Sequence, residues 1–167
     1  MAHDPHSKLP DLLPRLAAFA RTMLGDADSA RDLVQEAAAR ALGAGRVPAD
    51  APAYRAWMFR IVRNAALDEL RRRRTTPAEE PPPVDLWRFD NACIAKITVE
   101  QGLTTLAAPH REIIALIDIA GFSYAEAAGL LGVPIGTVMS RITRARSALL
   151  AVIEASSVRP LKSSHGS

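Results

Sequence analysis

The sequence lacks what a disulfide framework or a membrane span requires. Its 167 residues include a single cysteine, Cys93, so no internal disulfide can form. Uninterrupted apolar runs, such as residues 113–117, are far shorter than the roughly 20 residues that cross a bilayer. The N-terminus has no basic-then-apolar signal pattern. These absences predict a cytoplasmic protein without membrane insertion; a thiol-sensing role for Cys93 stays open.

Aromatic residues are also scarce, at 5% of the chain, whereas alanine and leucine are abundant. This composition favours helices, because aromatic and β-branched residues are the ones typical of strands. Apolar residues recur at helical spacing on both sides of a segment rich in proline. We therefore predict an all-α fold of two small helical domains, residues 1–74 and 91–155. A proline-rich linker, residues 75–90, joins them, and a disordered tail, residues 156–167, follows.

Helical periodicity and capping signals place the individual helices. A loop with two glycines and two prolines is expected over residues 43–52. If extended, the linker would span roughly 50 Å at about 3.1 Å per residue. The helices before the C-terminal motif are predicted at residues 9–24, 30–42, 53–74, 94–106 and 109–119.

A helix-turn-helix motif occupies residues 123–146. Ser123 and Glu126 have the spacing of a capping box, and Gly132 gives the tight turn its backbone freedom. Pro134 suits the start of the second helix, in which Ile135, Val138, Ile142 and Leu149 fall near one face. The candidate DNA-binding residues of this helix are Thr137, Ser140, Arg141, Arg144 and Arg146.

The charge of this second helix separates DNA reading from simple helix packing. Residues 135–150 contain three arginines and no acidic residue. Short polar side chains followed by arginines suit base edges first and phosphates next. Two antiparallel helices could also pair for packing alone, but the charge favours DNA.

The helix over residues 53–74 is the most basic part of the chain. From Arg55 to Arg74 the sequence has seven arginines and only two acidic residues, Asp68 and Glu69. Arginines beside aromatic rings suit single-stranded nucleic acid, since the arginines hold phosphates and the rings stack on bases. The alternative is that the rings belong to the core. The candidates for nucleic-acid contact are Tyr54, Trp57, Arg60, Arg63, Asn64, Arg71, Arg72, Arg73 and Arg74.

An acidic strip marks the second helix. Asp32, Gln35 and Glu36 share one helical surface at three- and four-residue spacing. Such a strip is often a solvated face, and partner docking is the alternative reading. Elsewhere the four histidines are scattered and no glycine-rich phosphate loop occurs. We therefore expect no catalytic site, metal or cofactor.

Three segments in this order resemble the extracytoplasmic-function (ECF) sigma factors of bacterial RNA polymerase, members of the sigma-70 family. They are DSARDLVQEAAARAL, YRAWMFRIVRNAALDELRRRR and LAAPHREIIALIDIAGFSYAEAAGLLGVPIGTVMSRITRARSALL. The resemblance covers roughly residues 9–150. It implies one domain like the family's second conserved region and one like its fourth.

The resemblance also implies roles for the candidate residues. Asp32, Gln35 and Glu36 would dock on the coiled coil of the polymerase β′ subunit. Residues 43–74 would open and read the −10 promoter element, and the helix over residues 137–146 would read the −35 element. An anti-sigma factor would control the protein. Two rival functions remain, a stand-alone helix-turn-helix regulator and a sigma-like decoy for an anti-sigma factor.

Overall fold

The computed structural model describes residues 4–75 and 91–157, with the side chains of residues 91–97 and 157 outside the description. Over these residues the fold is all-α, as predicted, with seven α-helices, one π-helical segment and no strand. Most of the predicted linker, residues 76–90, and most of the predicted tail, residues 158–167, lie outside the described residues. The elements are α1 Leu9–Leu24, α2 Ala27–Leu42, α3 Ala51–Arg74, α4 Asn91–Thr105, α5 Ala108–Ile114, the π-helical segment Ala115–Ile119, α6 Tyr124–Leu131 and α7 Ile135–Ser157.

Local capping sets the ends of the first three helices. Gly25 ends α1 in the left-handed region at φ 73° and donates its N–H to the carbonyl of Arg21. Asp26 then caps α2 by accepting from the amides of Asp28 and Ser29, both at 3.1 Å. This cap starts α2 three residues before the predicted position. Asp50 caps α3 in the same way.

Helices α1 to α3 form the first lobe around a dense core. Phe19 on α1 and Phe59 on α3 meet edge to face with ring centroids 5.5 Å apart. The small side chains Ala30 and Ala37 of α2 are buried and let it pack closely on the other two helices. This packing leaves the acidic strip of α2 on the outside.

Helices α4 to α7 form the second lobe, in which one predicted helix contains a π-helical segment. Residues 109–119 were expected to be one α-helix, yet from Ala115 the ladder widens and the N–H of Ala120 bonds to the carbonyl of Ala115 at 2.8 Å. A π-helical turn shifts the residues after it around the helix. As a result Leu116 is buried while Asp118 and Ile119 face outward.

The helix-turn-helix has the predicted local chemistry. Ser123 and Glu126 form the capping box, and Gly132 ends α6 with φ 65°. Val138 and Ile142 lie on the inner side of α7 and are buried. Ile135, which its spacing places near the same face, is 49% exposed at the first position of α7.

The two lobes pack directly against each other. Phe59 of α3 also stacks edge to face on Phe122 of the second lobe, at 4.9 Å between ring centroids. The buried apolar residues of both lobes form one continuous cluster. The sequence predicts two domains at the ends of a linker, and the structure adds an interface between them.

Candidate nucleic-acid interface

The exposed face of α7 carries most of the predicted DNA-binding residues. Ser140, Arg144 and Arg146 are exposed, and Thr137 and Arg141 are partly exposed. The Ser140 hydroxyl bonds back to the carbonyls of Gly136 and Thr137, at 3.2 and 3.3 Å, so it adds no bulk to this face. A narrow helix face of this kind, which carries no acidic residue, suits insertion into a major groove.

Sequence reasoning missed two residues of this face. Met139 is 50% exposed and Thr143 is exposed, on the same side as Ser140. Helical spacing could have found both, because Thr143 follows Ser140 by three residues and Met139 precedes Thr143 by four. A methyl-bearing side chain here could contact a thymine methyl group.

Arg146 already has a partner within the second lobe. Its Nη2 and Nε donate to the two oxygens of Asp118 at 2.6 and 3.2 Å. The bond to Asp118 raises the pKa of Arg146, so the guanidinium stays charged. The π-helical segment turns Asp118 outward toward α7, and an acidic group now lies beside a predicted phosphate contact.

The arginines at the end of α3 are also paired, within their own helix. Arg71 bonds Asp68 at 3.1 Å, and Arg72 and Arg73 bond Glu69 at 2.7 and 3.1 Å. Burial opposes ionisation of Glu69, but these two arginines outweigh it and lower the pKa of the carboxyl.

Three of the four arginines at the end of α3 are nevertheless exposed. Arg71, Arg72 and Arg74 are exposed, while Arg73 is partly covered and donates to the carbonyl of Leu24 at 2.9 Å. Surface ion pairs of this kind contribute about 0–1 kcal/mol, so phosphates could replace the carboxylates at little cost.

The aromatic candidates lie deeper than stacking on DNA requires. Tyr54 is 1% exposed, and its hydroxyl lies 3.1 Å from Nδ1 of His6. Burial raises the pKa of this phenol. Trp57 is partly buried against the Tyr54 ring, with centroids 5.5 Å apart. In this conformation the Tyr54 ring offers no face to a base.

The middle of α3 divides its candidates between solvent and the second lobe. Arg60 and Asn64 are exposed, on the same helical side at i and i+4. Arg63 instead forms an ion pair with Glu112 of α5, a residue that is buried between the helices and 8% exposed. The second lobe therefore holds one predicted nucleic-acid contact.

The acidic strip of α2 stays in solvent. Asp32, Gln35 and Glu36 are all exposed, and Glu36 bonds Arg40 at 2.5 Å one turn later. Asp32 and Glu36 line a concavity of about 360 Å³ between α2 and α3, which Asp68 and Glu69 close on the other side. Four carboxylates thus surround one surface depression, together with Arg40 and Arg72, which pair with Glu36 and Glu69.

Two features of residues 4–75 and 91–157 bear on other classes of protein. No helix there is long and apolar enough to span a membrane. The same part of the chain holds no group of three or more His, Cys, Asp or Glu residues that could bind a metal ion.

Comparisons with known proteins agree on one family. The models for sigma-70 region 2 and sigma-70 region 4 match residues 11–76 and 97–149. The ECF RNA polymerase sigma factor EcfG of Rhodopseudomonas palustris is 35% identical over 147 residues, which cover 84% of this chain and 80% of that protein. The chain belongs to the ECF sigma factors. It is also 39% identical to SigC of Mycobacterium tuberculosis over 136 residues, covering 78% and 74% of the two chains.

Two solved structures share the fold. The sigma factor RpoE of Bartonella quintana, solved with the anti-sigma factor NepR, matches at a TM-score of 0.66 and 31% identity, covering 88% of this chain and 94% of that one. CnrH, solved with the cytosolic domain of CnrY, matches at 0.67 and 30% identity, over 90% and 88%. The chain is thus an alternative sigma factor that directs promoter-specific initiation by core RNA polymerase.

Proposed function

We propose that the sigma factor divides promoter recognition between its lobes at the residues described above. Residues 1–74 and 91–155 act as the two domains, with residues 75–90 as the linker. The acidic strip of α2 docks on the β′ coiled coil, α3 contacts the −10 element, and α7 reads the −35 element. The observation that carries this proposal is the coexistence of an exposed acidic strip and an exposed basic recognition helix in one chain.

The docking role rests on exposure and charge. Asp32, Gln35 and Glu36 stand in solvent on one side of α2, although the opposite side of the helix is buried. Charge complementarity with a basic partner speeds encounter and sets orientation. Asp68 and Glu69 lie across the same concavity, but they are already paired with arginines of α3, so the docking role falls to α2.

The −35 role rests on the outer face of α7. Thr137, Ser140 and Arg141 lie in its first two turns, where a recognition helix places the residues that reach base edges. Arg144 follows one turn later and is positioned for phosphate. Arg146 joins it when DNA phosphate competes with Asp118.

The −10 role falls to the exposed side chains of α3. Arg60 and Asn64 are free to meet a displaced strand, and Arg71, Arg72 and Arg74 provide charge at the end of the helix. Arg73 is partly covered, and its main role is to form contacts within the first lobe. Trp57 is the aromatic side chain closest to solvent in this group, whereas Tyr54 supports it from inside the core.

Control by an anti-sigma factor completes the proposal. One structural relative, RpoE, was solved with the anti-sigma factor NepR, and another, CnrH, was solved with the cytosolic domain of CnrY. We extend that mode of control to this chain, which would act in the cytoplasm where promoters and polymerase are found. A decoy that only binds the anti-sigma factor would have no need for the basic outer face of α7.

Run-off transcription with purified core polymerase tests the function. We expect the full chain to direct initiation from a subset of promoters in a genomic library, with start sites that share two upstream elements. A variant with Arg141→Ala and Arg144→Ala serves as the matched negative control. Promoter-independent operator binding without any association with core polymerase would instead establish the stand-alone regulator.

A further inference from the structure

The outward face of α7 has two edges of different chemistry over its first two turns. Val138 and Ile142 are buried on the inner side of the helix, and Ser140 is exposed on the opposite side. Each residue turns an α-helix by about 100°. Met139 and Arg141, which flank Ser140 in the sequence, therefore project from opposite edges of the outward face. One edge is basic and the other is apolar.

The apolar edge consists of Ile135 and Met139, which lie one turn apart. Ile135 is 49% exposed and Met139 is 50% exposed, although both side chains are large and hydrophobic. Residues four positions apart are neighbours on a helix surface, so the two form one small apolar patch. This patch borders the face that carries the exposed Arg144.

The hydroxyl groups next to the apolar edge are bonded within the helix. The Thr143 hydroxyl donates to the carbonyl of Met139 at 2.9 Å. The Ser140 hydroxyl donates in the same way to the preceding turn. A hydroxyl has one proton to donate, so neither group has a donor left for a base edge. Hydrogen-bond donation to bases is thus confined to the basic edge of α7.

Gly136 keeps the centre of this face low. It lies in the first turn of α7, and its backbone is outside the left-handed region. A Cβ built on Gly136 would meet no other described group within 4 Å. Glycine is a poor helix former, and nothing in the described fold requires the absence of a side chain at this position. Close approach of an external partner gives that absence a reason.

The size and position of the apolar edge identify what it contacts. In the major groove, the C5-methyl group of thymine is the apolar feature that base pairs present. 5-Methylcytosine carries the same group at the same ring position. A stable protein interface covers about 800 Å² on each partner, which is far more than two side chains provide. One or two methyl groups match the edge.

We propose that Met139 is a specificity-determining residue that reads a pyrimidine C5-methyl group in the −35 element, with Ile135 beside it. The flexible thioether side chain of Met139 adapts to the shape of the groove. The inference rests on the proposed −35 role of α7. It adds to that role a base that is selected by apolar contact, on the edge opposite Arg141.

Replacing thymine by uracil tests the contact, because uracil keeps the base pair and lacks the methyl group. In promoters mapped by run-off transcription, each thymine of the −35 element is replaced in turn on either strand. Binding of the complex between core polymerase and the full chain is then titrated. We expect about four-fold weaker binding at one or two positions, as for the loss of one buried methyl group.

Variants of the apolar edge show whether Met139 makes the contact. Met139→Ala should bind the unmodified promoter about four-fold more weakly, and the critical uracil should then change its affinity by less than about two-fold. Met139→Leu keeps an apolar side chain of similar size and should retain the uracil response. Leu150→Ala is the matched control, because Leu150 is 56% exposed on the same helix beyond the reading turns. It should behave as wild type.

Cytosine methylation distinguishes the two sources of the methyl group. In the second arm, 5-methylcytosine replaces each cytosine of the same element. If thymine is the base read, methylation leaves binding unchanged and the uracil arm alone responds. If methylated cytosine is the base read, binding becomes about four-fold tighter at one position. Met139→Ala should abolish either response.

The outcomes separate this inference from the proposed function. Transcription by the wild-type chain that ignores every uracil and every 5-methylcytosine would overturn methyl reading and leave the sigma function intact. A uracil response that persists in Met139→Ala would assign the methyl group to another residue and overturn the role of Met139. Lost affinity of Met139→Ala for core polymerase, with an unchanged response to the modified bases, would make the edge a protein contact. Absence of promoter-directed initiation by the wild-type chain would refute the proposed function and this inference with it.

Discussion

Arg146 and Asp118 form a two-point ion pair that joins the π-helical segment to the recognition helix, with nitrogen–oxygen distances of 2.6 and 3.2 Å. The pair places a negative charge at the edge of the proposed −35 surface. DNA phosphate must therefore compete with an internal carboxylate for this arginine.

Removing that carboxylate should strengthen DNA binding. We expect Asp118→Asn to raise affinity for duplex DNA of any sequence and to steepen the salt dependence by up to about 0.9 log units, since Arg146 becomes available for one further phosphate. Binding titrations at several salt concentrations measure both. Arg146→Ala in the Asp118→Asn background is the control and should cancel the gain. A loss of affinity in Asp118→Asn would show that Asp118 positions Arg146 for DNA instead.

Arg141 and Arg144 should differ in kind. Arg141 lies partly covered in the first turns of α7, so Arg141→Ala should cost roughly 1–3 kcal/mol at one base pair of the −35 element and relax preference there. Arg144→Ala should weaken all promoters alike, as a lost phosphate contact does. A series of −35 base substitutions assayed with each variant distinguishes them. Equal losses on every promoter for Arg141→Ala would assign it to phosphate.

The acidic strip should control polymerase binding alone. The double variant Asp32→Lys and Glu36→Lys should lose about 100-fold in affinity for core polymerase, or about 2.7 kcal/mol, because a complementary charge is reversed. Its helicity should stay unchanged, since both side chains are exposed. Asp11→Lys with Glu154→Lys reverses two exposed charges elsewhere and is the matched control. Retained core affinity in the first variant would make the strip a solvated face.

Tyr54 should matter for stability and not for DNA opening. Tyr54→Ala should lower the free energy of unfolding by about 3–5 kcal/mol, because it empties a buried aromatic site. Tyr54→Phe loses only the contact with His6 and should cost about 1 kcal/mol. Thermal melting and permanganate footprinting of open promoter complexes check both effects. Impaired opening in Tyr54→Phe at wild-type stability would show that the hydroxyl reaches DNA.

The capping box of α6 should make the motif sensitive to acid. Hydrogen bonding with the Ser123 backbone lowers the pKa of Glu126 below its ordinary value of 4.5. Its contribution to stability is therefore present above that value and lost as pH falls through the lower, folded-state pKa. Ser123→Ala should cost about 1 kcal/mol at neutral pH. In Glu126→Gln, the melting temperature should fall less steeply as the pH is lowered. The same pH dependence as in wild type would contradict this assignment.

The helices and the family could be read from the sequence because their signals are local. Apolar spacing over Leu9–Leu24 predicted α1 as the structure has it, and Ser123, Glu126 and Gly132 predicted the turn of the helix-turn-helix. The start of α2 was missed because Asp26 competes with Ser29 as its cap. The π-helical segment was missed because its widened ladder depends on packing that no local pattern records.

The sequence by itself determined the helix pattern, the acidic strip and the basic recognition helix, since these follow from residues within one or two turns of each other. Only the tertiary structure decided which charged and aromatic side chains are available. Arg63 pairs with a residue 49 positions away and Arg146 with one 28 positions away, while Tyr54 is buried among helices remote in sequence. Coulomb attraction and burial act through space. Contacts between residues that are distant in sequence therefore cannot be predicted from local spacing.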